Sequence, residues 1–162
     1  MAPLAKWCNA NYVEQRITKV VGDENRIILE DGSSIDYDVL VLNVGSKTRG
    51  TTGEQVVAGV WENSLTTRPL NDLLPKIVQK EDYLVSKGIT PEVLICGAGA
   101  AGTELAFGFK HRWGKLYEKD IKVTLISHAD TVLKGAHEST IKQVTRKLKE
   151  ANIDVEYNCK VK

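Results

Sequence analysis

The second half of the chain alternates between short apolar runs and segments in which apolar residues recur at helical spacing. Residues 93–96 and 122–126 are the apolar runs, and each predicts a strand, the first of them buried. Residues 101–112 between them are predicted to form a helix. The next apolar positions at helical spacing are Ile141, Val144, Leu148 and Ala151. Strands that alternate with helices predict an α/β fold with a parallel, doubly wound sheet.

A third strand of this sheet is predicted at the end of the chain. Apolar and polar side chains alternate over residues 155–162, which is typical of a half-buried strand. Its apolar members are Val155, Tyr157, Cys159 and Val161. A complete sheet of this class continues past a third strand, so the chain is expected to be one section of a longer protein.

The first part of the chain has the pattern of short strands joined by tight turns. Residues 16–20 alternate between polar and apolar side chains, residues 22–25 indicate a turn, and residues 26–29 form a returning strand. Asp31 and Gly32 mark a second turn, because glycine tolerates the positive φ that such turns need. This part is therefore predicted to be rich in β-structure.

An almost wholly apolar run follows at residues 37–42. It suits a central strand buried on both faces, although periodicity alone does not exclude a buried helix. Residues 47–90 are mixed in pattern and are interpreted as a connector. A helix is predicted there from Pro69 to about Val85, and Pro75 inside it predicts a kink or a restart.

Composition restricts the classes of function. The chain has 162 residues and a formal net charge of +1, so its overall charge does not favour nucleic acid or an anionic membrane. No apolar stretch approaches the roughly 20 residues that span a bilayer, so no integral membrane segment is expected. Cys8, Cys96 and Cys159 are odd in number and far apart, which is typical of a reducing, intracellular compartment. Cys96 is expected to be a buried, unreactive thiol.

The clearest candidate chemistry is a glycine-rich loop directly after the strand at residues 93–96. It fits the pattern G-x-G-x-x-G, in which the first glycine permits a tight turn and the second lets a pyrophosphate approach the backbone. The third lets helix and strand pack closely, and the helix N-terminus then holds the phosphates. The loop consists of Gly97, Ala98, Gly99, Ala100, Ala101 and Gly102. A tight turn without a ligand is the alternative, but the strand–loop–helix context favours dinucleotide binding in a Rossmann-like domain.

The end of the second strand should meet the adenosine ribose. An acid there accepts the 2′-hydroxyl of NAD, whereas basic groups favour the 2′-phosphate of NADP. This strand ends in Ser127 and His128 without a carboxylate, so the cofactor preference stays open. Asp130 could reach back to the ribose but is interpreted as a loop residue. The basic stretch at residues 110–122 is interpreted as a solvated helix end and loop in preference to a binding patch.

Three features in this order resemble the FAD-dependent pyridine nucleotide-disulfide oxidoreductase superfamily. They are the turn-rich strands, the apolar run that ends in Asn43, Val44, Gly45 and Ser46, and the loop at residues 97–102 followed by Glu104. The chain looks most like the NADH dehydrogenase-like flavoproteins, including those fused to selenide, water dikinases. In that family the apolar run closes an FAD-binding domain, and an NAD(P)H-binding domain follows a connector.

The resemblance implies cofactor contacts at particular residues. FAD would lie near Val44 and Gly45, although Asn43 and Val44 replace the usual Ala-Thr. The phosphates of NAD(P)H would lie on residues 97–102, and Glu104 would hold the nicotinamide end against the flavin. Without the resemblance, an acid at 104 is explained by the dipole of a first helical turn.

The resemblance also implies an organisation and a function. Residues 1–50 would be the C-terminal part of an FAD-binding domain, residues 51–90 a connector, and residues 91–162 part of an NAD(P)H-binding domain. The parent protein would transfer hydride from NAD(P)H to FAD and then electrons to an unidentified acceptor. No catalytic side chain and no metal site is predicted. The missing remainder of the chain and a second copy in a homodimer are the expected protein partners. The alternative is a non-catalytic dinucleotide-binding or regulatory module.

Overall fold

A computed structural model describes residues 2–48 and 56–160. The chain forms two compact units that divide between Ser46 and Lys47. The helices are α1 (Ala2–Trp7), α2 (Val60–Asn63), α3 (Leu70–Ser86), α4 (Ala100–Tyr117) and α5 (Glu138–Glu150). The strands are β1 (Ile17–Val21), β2 (Arg26–Leu29), β3 (Ser34–Asp36), β4 (Val93–Cys96), β5 (Val123–Ile126) and β6 (Ile153–Glu156).

The first unit is built around an antiparallel sheet in the order β1-β2-β3. A short 3-10 helix, Gly22–Glu24, turns the chain between β1 and β2, and Asn25 completes the turn in the left-handed region with φ of 49°. Gly32 has φ of 83° in the turn before β3, as predicted from its residue type. Across β2 and β3, Arg26 Nε donates to Asp36 Oδ1 at 2.6 Å. The predicted strand–turn–strand pattern is confirmed.

The prediction of a buried strand at residues 37–42 is wrong. These residues form neither strand nor helix, and Val39 and Val41 expose 80% and 82% of their surface. A strand needs a neighbour that accepts and donates its backbone hydrogen bonds, and no described strand pairs with this segment. The apolar run therefore identifies an uncovered apolar surface and not a strand within the described residues.

The second unit contains a parallel sheet in the order β4-β5-β6, which confirms the predicted α/β fold class. Its register pairs Val93 with Val123, and Val123 with Ile153. Helix α4 contacts all of these strands, and α5 contacts β6. Val123, Leu125 and Ile153 are buried in the core of the unit.

The opposite face of this sheet is exposed. Leu94 and Cys96 alternate with the core positions of β4, and Leu94 exposes 62% of its surface. The predictions that β4 is a buried strand and that Cys96 is a buried thiol are therefore wrong for the described residues. Among the described strands β4 lies at the edge of the sheet, and the helix that packs on it is α4. Period-2 alternation therefore leaves every second side chain of β4 exposed within the described residues.

The last strand is shorter than predicted and begins earlier. Strand β6 ends at Glu156, and Asn158 adopts φ of 55°, a left-handed conformation that interrupts an extended strand. Cys159 is exposed beyond this point. Val161, the last member of the predicted alternation, lies outside the described residues, as does the proposed boundary between residues 50 and 51.

The connector helix α3 is a single helix that includes Pro75, so no restart occurs there. Its side chains Ile77 and Leu84 belong to the same buried cluster as Phe109 and Trp113 of α4. The connector is therefore part of the second compact unit.

A buried carboxylate ties α3 to α4. Glu81 accepts hydrogen bonds from Arg112 Nε at 2.6 Å, from Arg112 Nη2 at 2.7 Å and from Trp113 Nε1 at 2.6 Å. These bonds, with that from Arg112 first, hold the pKa of Glu81 below its ordinary value despite its burial. Burial raises the pKa of Tyr117, and the charge of Glu81 adds to that effect.

The basic stretch at residues 110–122 is predicted to be a solvated helix end and loop. In the structure, part of it packs against the second unit. Helix α4 continues to Tyr117, five residues beyond the predicted end at 112, and Trp113 is buried. Lys110 Nζ donates to the carbonyls of Ile121 and Asn152 at 2.7 and 2.9 Å. It also pairs with Asp120 at 2.7 Å. Lys110 is thus held by the fold.

Candidate dinucleotide-binding site

The candidate loop leaves β4 through a residue that only glycine suits. Gly97 has φ of 116°, a backbone conformation that side chains with a Cβ rarely adopt. Its N–H donates to the carbonyl of Ile126 at 2.9 Å, which continues the ladder between β4 and β5 by one residue. The turn therefore begins at the carboxyl end of the sheet, where open α/β folds bind ligands.

Gly102 is required by close packing of helix on strand. A Cβ built at this position would lie 1.8 Å from the carbonyl oxygen of Gly97 and 3.6 Å from Ile95 Cγ2. The first contact is far inside the van der Waals limit and involves backbone. Helix α4 can cross β4 at this distance only because residue 102 has no side chain.

Gly99 differs from the other two glycines. It precedes α4 with φ of −77° and ψ of −174°, an extended conformation open to any residue type. A Cβ at Gly99 would meet no atom of the chain within 4 Å. Neither strain nor internal packing therefore requires a glycine here, and the backbone at this point is open to an incoming ligand.

The first turn of α4 supplies hydrogen-bond donors at the same place. The first helical bond of the turn runs from Thr103 N to Gly99 O at 3.0 Å. By helix geometry the N–H groups of residues 100–102 have no acceptor within the helix. They point out of the N-terminus, where the helix dipole favours an anion such as a phosphate.

A loop that follows β5, residues 127–133, closes one side of this site. Leu133 N donates to the carbonyl of Ala98 at 2.8 Å, and the Ala98 side chain is buried. Val132 is also fully buried in the core of the unit. This contact between the two loops was missed at the sequence level, because no local pattern links residues 98 and 133.

Ser127 and His128 have different environments at the end of β5. Ser127 exposes 3% of its surface, and its hydroxyl donates to the Thr131 carbonyl at 2.9 Å and accepts from Ala129 N at 3.2 Å. His128 is exposed, as is Asp130. The Ser127 hydroxyl is thus used inside the loop, whereas His128 is open to solvent.

Glu104 lies beyond the first turn of α4, whereas the sequence predicts it within that turn. Because α4 begins at Ala100, no acid lies in its first turn, and the interpretation of Glu104 through the helix dipole is wrong. The exposed Glu104 lines a cleft of about 340 Å³ between α3 and α4. The other residues that line this cleft are Thr67, Arg68, Leu70, Leu73, Ile77, Ala101, Leu105, Gly108 and Phe109.

The predicted site residues do not all belong to one unit. Residues 97–104 and 127–128 lie in the second unit, whereas Val44 and Gly45 lie in the first. Val44 is exposed, and Gly45 has φ of 77° in a segment without regular structure. The glycine loop and the end of β5 are adjacent through the bond from Gly97 N to Ile126 O, whereas Glu104 lines the cleft between α3 and α4.

The described residues contain neither a metal-binding cluster nor a membrane-spanning helix. Across residues 2–48 and 56–160, histidines, cysteines and carboxylates do not gather into a group that could hold a metal ion. Within the same residues, no helix combines the length and the apolar character needed to cross a membrane.

Comparison with known proteins identifies the family. A family model described as pyridine nucleotide-disulphide oxidoreductase matches residues 9–162. The chain belongs to this family. It is 27% identical over 123 residues to the ferredoxin–NAD(+) reductase component of a 3-phenylpropionate/cinnamic acid dioxygenase from Photorhabdus laumondii. That match covers 75% of this chain and 26% of the relative, so the chain spans about a quarter of the curated protein.

Two solved structures share the fold of this chain. The sulfide:quinone oxidoreductase of Aquifex aeolicus matches with a TM-score of 0.67 and 20% identity over 100% of this chain and 38% of its own. A ferredoxin reductase from Rhodopseudomonas palustris matches with a TM-score of 0.64 and 17% identity over 99% of this chain and 36% of its own. Likeness at this level of identity concerns the fold.

Proposed function

We propose that this chain is the part of a flavoprotein oxidoreductase that holds NAD(P)H for hydride transfer to FAD. The observation that carries the proposal is Gly99, which internal packing does not require but close approach of a pyrophosphate does. Family membership over residues 9–162 and a ferredoxin–NAD(+) reductase relative support the same class of chemistry. In such a reaction NAD(P)H gives up a hydride, the flavin accepts it, and the electron pair passes to an acceptor.

Each group of residues has a separate task in this proposal. Residues 97–102 hold the pyrophosphate through the glycine backbone and the N-terminus of α4. The end of β5, at the backbone of Ser127 and at His128, meets the adenosine ribose. Glu104 holds the nicotinamide end, and Val44 and Gly45 lie near the flavin. Because the chemistry belongs to the cofactors, the chain's own work is to bind and orient them.

The wider setting stays a prediction. The chain covers between about a quarter and two fifths of the relatives it matches, so the electron acceptor, a homodimer and contacts with further segments of the same protein are proposals. A reducing, intracellular compartment is a prediction from cysteine use. We propose residues 1–50, 51–90 and 91–162 as the flavin-domain, connector and nucleotide-domain sections.

Gly99→Val tests the proposal directly. The valine side chain would occupy the space into which the pyrophosphate must come, so NADH and NADPH affinity should fall by about a hundredfold or more. Isothermal titration calorimetry measures the affinity, and circular dichroism checks that the variant is folded.

Gly22→Val is the matched control. Gly22 also has no atom within 4 Å of a built Cβ and no positive φ, but it lies in the first unit. The Gly22→Val variant should bind NADH and NADPH with the same affinity as the unaltered chain. Unchanged affinity in folded Gly99→Val would refute the site, whereas binding without any flavin reduction in the full-length protein would favour the non-catalytic module.

A further inference from the structure

The loop after β5 is fixed on two sides, which determines what it offers to a bound ribose. Leu133 N donates to Ala98 O of the glycine loop at 2.8 Å. On the other side, Cys159 N donates to Ser127 O at 2.9 Å. The end of this loop is therefore held beside the glycine loop, and its start beside the segment that follows β6, in both cases by backbone hydrogen bonds.

Ser127 cannot read the ribose in this arrangement. A serine hydroxyl has one proton to donate, and that proton is committed to the Thr131 carbonyl. The oxygen already accepts from Ala129 N, and the residue is almost completely buried. The position where an acid would select the 2′-hydroxyl thus carries a side chain that faces into the protein.

His128 is the first side chain after β5 that faces solvent. Its neighbours Ser127 and Ala129 are both buried, whereas His128 itself is exposed. A neutral imidazole has one donor and one acceptor nitrogen, which suit a ribose hydroxyl and a phosphate oxygen alike. It also lacks the negative charge by which an acid would repel a 2′-phosphate.

We infer that the adenosine end of this site accepts both NADH and NADPH, and that His128 is the residue that reads the 2′ position. The inference rests on the proposed function, because it concerns the same nucleotide. Asp130, which is exposed in the same loop, and Glu156, which is exposed at the end of β6, are the carboxylates that could oppose it.

Titration of the full chain with NADH and with NADPH tests the inference. The two dissociation constants should lie within about tenfold of each other, because no acid selects the 2′-hydroxyl. A larger difference in either direction would overturn it. If neither nucleotide binds, the proposed function fails. If one nucleotide binds and the other binds more than about tenfold more weakly, the inference alone fails, so the two failures are distinguishable.

His128→Glu tests the role of the side chain. A carboxylate at this exposed position should lower NADPH affinity by about tenfold or more through repulsion of the 2′-phosphate, and change NADH affinity by less than about threefold. Equal effects on both nucleotides, or no effect on either, would overturn the assignment of His128.

Asp130→Asn is the matched control, since it alters charge in the same loop. The ratio of NADH to NADPH affinity should change by less than about threefold. A larger gain for NADPH would mean that Asp130 reads the ribose instead, and would overturn the inference. Circular dichroism of each variant confirms that the fold is kept.

Discussion

At the scale of single residues, Gly97, Gly99 and Gly102 show three different reasons for one residue type. Gly97 is set by its backbone dihedral angle, and Gly102 by the carbonyl oxygen that its missing Cβ would meet. Gly99 is free of both constraints, as Gly22 and Gly108 are, and under the proposed function the approach of the pyrophosphate accounts for it. The motif predicted all three from spacing, but only the tertiary structure separates the two glycines that the fold requires from Gly99.

Gly102→Ala should destabilise the protein. The added Cβ would lie 1.8 Å from Gly97 O, so α4 or the loop must shift. Overpacking of this kind costs about 1–3 kcal/mol in the free energy of unfolding, which urea denaturation measures.

Gly108→Ala is the control for that change. It lies in the same helix, and its built Cβ meets nothing within 4 Å. Alanine should stabilise the helix there by up to about 1 kcal/mol, because it restricts the unfolded chain more than glycine does. Equal effects at 102 and 108 would contradict the close approach of α4 to β4.

At the scale of elements, the pairing of α3 with α4 depends on a carboxylate that the sequence pattern did not single out. Apolar spacing predicted both helices, but it did not predict that they share a core. Glu81 lies buried on α3. Its carboxylate accepts hydrogen bonds from Arg112 and from Trp113, both of which lie on α4. Loss of one partner of a buried, charged hydrogen bond is costly, so this tie should matter to stability.

Glu81→Gln should lower the free energy of unfolding at neutral pH by about 2 kcal/mol, because the ionic hydrogen bonds become neutral ones. The folded pKa of Glu81 lies below its ordinary value of 4.5, so its contribution is present above that value. It is lost as the pH falls through the folded pKa. The difference between parent and variant in urea denaturation should therefore shrink below about pH 4.5.

Glu150→Gln provides the matched comparison. Glu150 also has a lowered pKa, through its hydrogen bond with Lys147, but it is solvent-exposed. Exposed ion pairs contribute little, so this variant should unfold much like the parent chain. A difference between parent and Glu81→Gln that did not depend on pH would contradict the ionic role of Glu81.

The strands separate what a local pattern can predict from what it cannot. The runs at β4 and β5 were located closely, because each is bounded by clear changes in polarity. The run at residues 37–42 has the same apolar character but forms no strand, since a strand exists only with a hydrogen-bonded neighbour. The prediction that Cys96 is buried is wrong for a related reason, because no element among the described residues packs on its face of the sheet.

At the scale of the whole molecule, the chain is two compact units with unequal shares of the candidate chemistry. The second unit holds the glycine loop, the loop after β5 and the cleft beside Glu104. Its buried cluster extends from Leu65 to Val155 and needs no residue of the first unit. Nucleotide binding is therefore expected to depend on the second unit alone.

Residues 47–162 expressed without the first unit should fold and bind NADH with a dissociation constant within about threefold of that of residues 1–162. Calorimetry gives the two constants, and circular dichroism compares the helical content. The same shortened chain with Gly99→Val is the control and should not bind. Loss of binding in a folded residue 47–162 chain would mean that the first unit contributes to the nucleotide site.

The sequence by itself determined the α/β class, the strand–loop–helix that carries the glycines and the family resemblance, because these depend on residue type and spacing over short distances. Tertiary structure alone decided that Ser127 faces inward, that Glu81 joins α3 to α4 and that Leu133 closes the glycine loop. Each of these depends on which distant segments meet. Hydrogen-bond partners and burial are properties of such meetings, and no local pattern contains them.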